Sequence, residues 1–288
     1  MGNLDNPLIL AIETSGRLGS VALAHGDKLL AESHFSGQMR HSAEIFPAIT
    51  DLLCKFSKKP DQIEQVYISL GPGSFTGLRI AVTIAKTIAL VNQAKIVAVD
   101  TLDCIAANVL SKSDESDESD RSDWSDRLAV ILDAKRSQFF IAVYESVSQP
   151  DLSLRAKRSN LNQLKTQNSK LKTDYPLYAR LGVAGRRSRA TRYPLKKVLP
   201  DSLMTAEEFL EKFTDSGKQI ALIGEGLVFY KDKFAHKNVS VLDEKFWNPS
   251  AANIHRLGWQ KAQLGEFADP LTLIPNYIRG PDAVVKQM

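Results

Sequence analysis

Ser69-Leu70-Gly71-Pro72-Gly73-Ser74-Phe75-Thr76-Gly77-Leu78-Arg79 decides how this 288-residue chain is read. An apolar run, Val66 to Leu70, precedes the glycines, and a long helix-like run, Leu78 to Val91, follows them. The order is strand, tight turn, helix start. Gly71, Gly73 and Gly77 admit backbone angles and close approaches denied to residues with a Cβ. Thr76 is the expected N-cap, leaving N–H groups of the first turn facing outward. Two readings follow: an anion cradle at a helix start, or a tight corner. The Gly-Lys-Ser/Thr ending of a phosphate-binding P-loop is missing.

Outward from this turn the pattern is α/β. Residues 8–34 read as three short strands broken by Gly16, Gly19 and the hairpin signal His25-Gly26-Asp27-Lys28. A helix is expected over 43–56, with Ile45, Ile49, Leu52 and Phe56 on one stripe, Phe46 and Leu53 on an adjacent face, and Pro47 in the first turn. Strand 66–70, helix 77–91, strand 96–99 and a helix from 101 to 110 come next. Strands resume at 128–133 and 139–144. Thr205-Ala206-Glu207-Glu208 is a capping box opening a helix to Phe213, Ile220–Ile223 is a buried-type strand, and Ser250 caps a last helix over 251–264. Three hairpin strands followed by alternating helix and strand predict mixed sheets flanked by helices. Several doubly wound folds meet that pattern.

Charge is unevenly spread. Residues 152–197 hold thirteen basic residues and one acid, Asp174; the remainder holds 24 basic against 32 acidic. An acidic body therefore carries a basic insertion at about 148–200, which lacks clean periodicity and is either solvated or a contact for nucleic-acid phosphates. Residues 111–127, rich in Ser and Asp, read as an acidic low-complexity linker. The organisation expected is a first lobe over 1–110, the linker, and a second lobe over 128–288 containing the insertion. Cys54 and Cys104 provide no disulfide framework and lie in apolar neighbourhoods, as buried thiols do. The first apolar run, Pro7 to Ile12, is too short for a signal peptide or a membrane span, so a reducing cytoplasm is the default.

The string Gly71-Pro72-Gly73-Ser74-Phe75-Thr76-Gly77-Leu78-Arg79 closely resembles the signature of the TsaB (YeaZ) family. Ile9-Leu10-Ala11-Ile12-Glu13-Thr14-Ser15, Arg40-His41-Ser42-Ala43-Glu44, Ile131-Leu132-Asp133-Ala134-Lys135-Arg136, Ile223-Gly224-Glu225-Gly226 and Ile274-Pro275-Asn276-Tyr277-Ile278-Arg279 also resemble it, in order along the chain. Glu13 stands where the family usually has Asp. The resemblance implies two RNase H-like lobes of the actin/Hsp70-like fold. It also implies a non-catalytic dimerisation subunit of the bacterial complex that makes N6-threonylcarbamoyladenosine on tRNA. TsaD would be its catalytic partner, TsaE an ATPase engaging the pair, and tRNA an indirect partner. ATP and metal would belong to the partner subunits, with no cofactor on this chain. A third option, in the absence of TsaD, is a homodimer through the same helices.

The chemistry-bearing residues agree with a non-catalytic role. Glu13, Asp100 and Asp133 end apolar strands, where acids either hold a metal–nucleotide or bond to turn N–H groups. His25, His34, His41, His236 and His255 include no i, i+4 pair, so the paired-histidine metal site of TsaD is not expected; there is also no Gly-x-Ser-x-Gly elbow. The rival class is a stand-alone actin-like ATPase or glycoprotease-like metallopeptidase. Ala81, Ala85 and Ala89 form a small-residue row on the second helix, and Ile80, Ile84, Ile88 and Val91 line another side. Two apolar faces exceed what one sheet needs. The surplus goes either to contact between the first two helices or to a partner, and the resemblance favours TsaD. The candidate interface is His41, Glu44, Ile45, Ile49, Leu53, Arg79, Ala81 and Ala85.

Overall fold

The structure, a computed structural model, describes residues 6–37, 40–111, 127–146, 195–215 and 217–278. The expected linker lies almost wholly outside the described residues, as does most of the basic insertion.

Two five-stranded sheets share one topology. In the first, β1 (Leu8–Glu13), β2 (Ser20–His25) and β3 (Lys28–His34) are antiparallel neighbours, while β4 (Gln65–Gly71) and β5 (Lys95–Asp100) run parallel to β1; the order is β3-β2-β1-β4-β5. In the second, β6 (Arg127–Asp133), β7 (Phe139–Ser146) and β8 (Leu195–Met204) take the antiparallel places, and β9 (Ile220–Ile223) and β10 (Val239–Val241) the parallel ones, in the order β10-β9-β6-β7-β8. The second order is the first read from the other edge. The chain therefore repeats one RNase H-like plan twice.

Strand alternation explains how the first sheet is covered on both faces. Leu8, Leu10 and Ile12 of β1 join a core with α1 (His41–Lys55) and α2 (Phe75–Asn92). Ile9 and Ala11 point to the other face, with Ala22, Ala24 and Tyr67. That face is covered by a helix from the far end of the chain, Ala251–Gln263, through Ala251, Ile254 and Leu257. The alanines let it approach closely, and a Cβ at Gly258 would come within 2.5 Å of the Tyr67 ring. In exchange, α3 (Thr101–Ala106) sends Leu102, Ile105 and Ala106 into the core of the second sheet. Each sheet thus borrows a helix from the other half of the sequence.

The structure corrects several local expectations. Pro47 sits in the second turn of α1, because the helix begins at His41 rather than at residue 43. The helix expected over 101–110 is interrupted at Ala107 and resumes as α4 (Asn108–Ser111). There Asn108 donates to Phe246 O (2.9 Å) and Asn248 O (2.8 Å) and accepts from Asn253 (2.6 Å). Cys54 is exposed, whereas Cys104 is buried. Residues 195–200, assigned to the insertion, are the first part of β8. Their alternation is hidden because the inward row Leu195–Lys197–Leu199 has a lysine in its middle. Two short helices complete the second lobe: α5 (Ala206–Thr214), with the expected capping box, and α6 (Leu227–Tyr230); the covering helix is α7.

Lys197 is tolerated inside because carboxylates surround it. Its Nζ lies 2.6 Å from Asp103 Oδ1, 2.6 Å from Asp201 Oδ1 and 4.0 Å from Asp100 Oδ2. Tyr144 Oη donates to Asp103 at 2.7 Å. The cluster ties β5 and α3 to β7 and β8 across the lobe boundary. Burial works against the charge on Lys197, but the three carboxylates hold it above the usual lysine range. Burial pushes Asp201 up to about 6, against the pull of Lys197.

Removing a partner from a buried ion cluster leaves unpaired charge, which is expensive. Lys197→Met is expected to cost about 3–5 kcal/mol at pH 8. The cost should shrink at pH 5, where Asp201 carries a proton. Urea unfolding at the two pH values checks both the size and the pH trend.

Candidate functional site

The glycine turn joins β4 to α2, and the N–H donors of Ser74 and Gly77 are taken up inside the chain. Ser74, not Thr76, caps α2: Gly77 N donates to Ser74 Oγ at 3.3 Å. Ser74 N donates to Ser15 O at 2.7 Å, and Thr14 Oγ1 donates to Gly77 O at 2.8 Å. A Cβ at Gly77 would collide with Thr14 O, and one at Gly73 would stand 2.5 Å from Ser15 O. Gly71, with φ +119°, admits the carbonyl of Asn276, which would lie 2.8 Å from a Cβ there. Of the two readings of the turn, the geometry is that of a corner where three segments of backbone cross.

The strand-end acids mostly bond to turns. Glu13 is fully buried, and its Oε1 accepts from both N and Oγ of Ser15. Its Oε2 has no hydrogen-bond partner. Burial pushes this carboxyl up to about 7 against the Ser15 hydrogen bonds, and Glu225 across the cleft adds to the rise. Glu225 accepts from Arg17 N at 2.9 and 3.0 Å. Asp133 accepts from Lys135 N at 2.7 Å, while Asp100 faces the Lys197 cluster. Among the described residues no group of three or more His, Cys, Asp or Glu is placed to hold a metal ion.

A second feature faces outward. The helices α1 and α2 enclose a groove of about 370 Å³ whose apolar lining is Ile45, Phe46, Phe75, Ile80 and Ile84. Ser42, Thr76 and Thr83 add hydroxyls, and Arg79 adds the one charge. Phe46 is 62% exposed and Phe75 47%, a large apolar offering for a surface helix pair. The Arg79 guanidinium stacks 4.5 Å from the Phe75 ring centre. Farther along α2, Leu90 and Val91 are also exposed.

The candidate interface residues divide between this groove and the interior. Ile45 and Arg79 line the groove. Ile49, Leu53, Ala81 and Ala85 are buried in the lobe's own core, so the small-residue row lies against its own sheet. His41 is buried; its Nε2 lies 3.0 Å from Gly16 O, and burial lowers its pKa, leaving it neutral. Glu44 accepts from Ser36 N and Oγ at 2.6 Å and pairs with Arg40 at 3.0 Å, bracing the segment before α1. Phe46, Phe75, Ile80 and Ile84 were not among the candidates. Their signal was present in Phe46, one residue off the α1 stripe, and in the isoleucine side of α2.

The chain is similar to known proteins over nearly its whole length. It is 25% identical over 285 residues, 96% of each chain, to "tRNA threonylcarbamoyladenosine biosynthesis protein TsaB" of Bacillus subtilis (strain 168). It is 30% identical over 138 residues to the Escherichia coli (strain K12) protein of the same name, covering 48% of this chain and 54% of that one. A family model described as "TsaD: tRNA N6-adenosine threonylcarbamoyltransferase" matches residues 28–165. Among solved structures, a Pseudomonas aeruginosa protein described as similar to peptidase YEAZ superposes with a TM-score of 0.66 at 18% identity, covering 95% of this chain and 100% of that one. YeaZ from the same organism gives 0.64 at 18% identity, covering 94% and 99%.

The buried Glu13 carboxyl has a measurable consequence. Its folded pKa of about 7 stands above the ordinary 4.5. The folded state therefore holds a proton that the unfolded chain releases. The resulting stability is full below pH 4.5 and is lost as pH rises through about 7. Glu13→Gln, neutral at every pH, is expected to be more stable than the wild type at pH 8 by up to about 3 kcal/mol. The gain should vanish at pH 4, below the unfolded value. Thermal unfolding across that range is the check.

Proposed function

We propose, from the premise that this chain is a TsaB (YeaZ) family protein of actin/Hsp70-like fold, that it is the non-catalytic partner subunit of the complex forming N6-threonylcarbamoyladenosine on tRNA. The observation that supports this reading is the apolar groove between α1 and α2, with Phe46 and Phe75 open to water. Behind it, Thr14, Ser15 and the glycine turn pack on one another.

The proposed partner is a TsaD-type catalytic subunit, which seats a helical face on this groove. The match of a TsaD family model to residues 28–165, which include α1 and α2, supports such a pairing. In this reading the partner transfers the threonylcarbamoyl group from its adenylate to N6 of adenosine 37 in tRNAs that read ANN codons. This chain binds the partner and stabilises its active arrangement. A TsaE-type ATPase engages the pair, and ATP and metal reside on those subunits. The compartment is a reducing cytoplasm. Without TsaD, two copies of this chain cover the same groove on each other.

Light scattering of the chain mixed with its organism's TsaD-type subunit should give a peak at the summed mass. Phe46→Asp places a charge on the exposed groove wall. It should weaken the complex by at least ~30-fold while leaving the thermal midpoint unchanged. Ala85→Glu, in contrast, buries a charge in the lobe's own core and should unfold it. An unweakened complex with Phe46→Asp overturns the assignment.

A further inference from the structure

We infer that the segment after α7, residues 268–278, is a third element of the partner surface, and that Tyr277 is the positioning residue that holds Phe75 as a wall of the groove. The inference rests on the groove being the docking site. It adds an element that is remote in sequence from both helices.

The segment is strapped to the first sheet at two places. Ala268 N donates to Ile96 O on β5 at 2.8 Å, and Asn276 N donates to Leu70 O at the end of β4 at 2.8 Å. Between them Leu273 is buried in the core beneath α1 and α2. The strap thus runs from the free edge of β5 to the glycine turn, where Gly71 leaves room for the Asn276 carbonyl. The next residue, Tyr277, sets its ring 5.0 Å from Phe75 at an interplanar angle of 32°. Arg79, one turn along α2, places its guanidinium 4.5 Å from the same ring.

Phe75 is the first residue of α2 and is half exposed. An aromatic side chain at that position has little of its own lobe to lie against. Tyr277 and Arg79 supply the missing contacts, so the ring is already ordered when a partner arrives. Ordering a side chain during association costs affinity, and holding it beforehand removes that cost. The strap also leaves Ile274, 69% exposed, and Leu271, 86% exposed, in water. Arg79 is the one charge lining the groove. The occupant that fits is an apolar helical face of the TsaD-type subunit carrying a carboxylate opposite Arg79.

The test measures affinity of the full chain for the TsaD-type subunit by calorimetric titration. Tyr277→Ala should bind about three- to tenfold more weakly with its thermal midpoint unchanged, since Tyr277 is exposed enough to be dispensable for folding. Tyr277→Phe should bind as wild type, because the ring and not the hydroxyl does the holding. Phe46→Asp serves as the groove control. Weak binding by Phe46→Asp together with wild-type binding by Tyr277→Ala overturns the strap inference and leaves the docking site standing. Wild-type binding by Phe46→Asp overturns the docking site and this inference with it. Independently of any variant, amide exchange over residues 274–278 should slow in the wild-type complex, and unchanged exchange there counts against the strap.

Discussion

Everything in the first lobe hangs on the approach of the glycine turn to the end of β1. With no Cβ at Gly73 and Gly77, the Thr14 and Ser15 carbonyls reach backbone N–H and Cα atoms of the turn directly. That contact fixes where α2 begins, lets Ser74 cap it, and sets the helix beside α1. The groove is a consequence of that placement. One constraint, the absence of a Cβ at two positions, fixes the corner behind α2 and the groove in front of it.

The lobes are joined by exchange rather than by simple apposition. α3 leaves the first half to pack in the second core, and α7 leaves the second half to cover the first sheet. Beside these crossings, Lys197 gathers Asp100, Asp103 and Asp201 from both sides of the boundary. Apolar exchange supplies most of the attachment, since it removes large surfaces from water. The ion cluster contributes specificity of placement, because an ammonium inside the protein tolerates only geometries that keep its carboxylates close. A chain built this way ties its two sheets together through both apolar exchange and charge.

Glu13, at the end of β1, is turned to Ser15, sealed from water and pushed toward the neutral form. A carboxyl in that state braces the β1 turn. The groove, in contrast, leaves Phe46 and Phe75 in water.

Much of this was legible in the sequence because the relevant signals are local. Strand alternation, the Thr205 and Ser250 caps, the glycine spacing and the motif string are all written within a few residues of each other. Lys197 shows where locality fails: a lysine in an inward strand position breaks the apolar pattern, and only the distant Asp103 explains why it is allowed there. The alanine row of α2 shows the same limit. Ala81, Ala85 and Ala89 and the neighbouring isoleucines are equally apolar in sequence, and which side meets the sheet depends on where the turn at Gly77 points the helix. The sequence by itself determined the α/β class and the presence of a surplus apolar face, and it carried the resemblance to the TsaB (YeaZ) proteins. The tertiary structure alone decided which face that was, that α3 and α7 change lobes, and that the strap ending in Tyr277 lies against Phe75, because each depends on contacts between segments far apart in the chain.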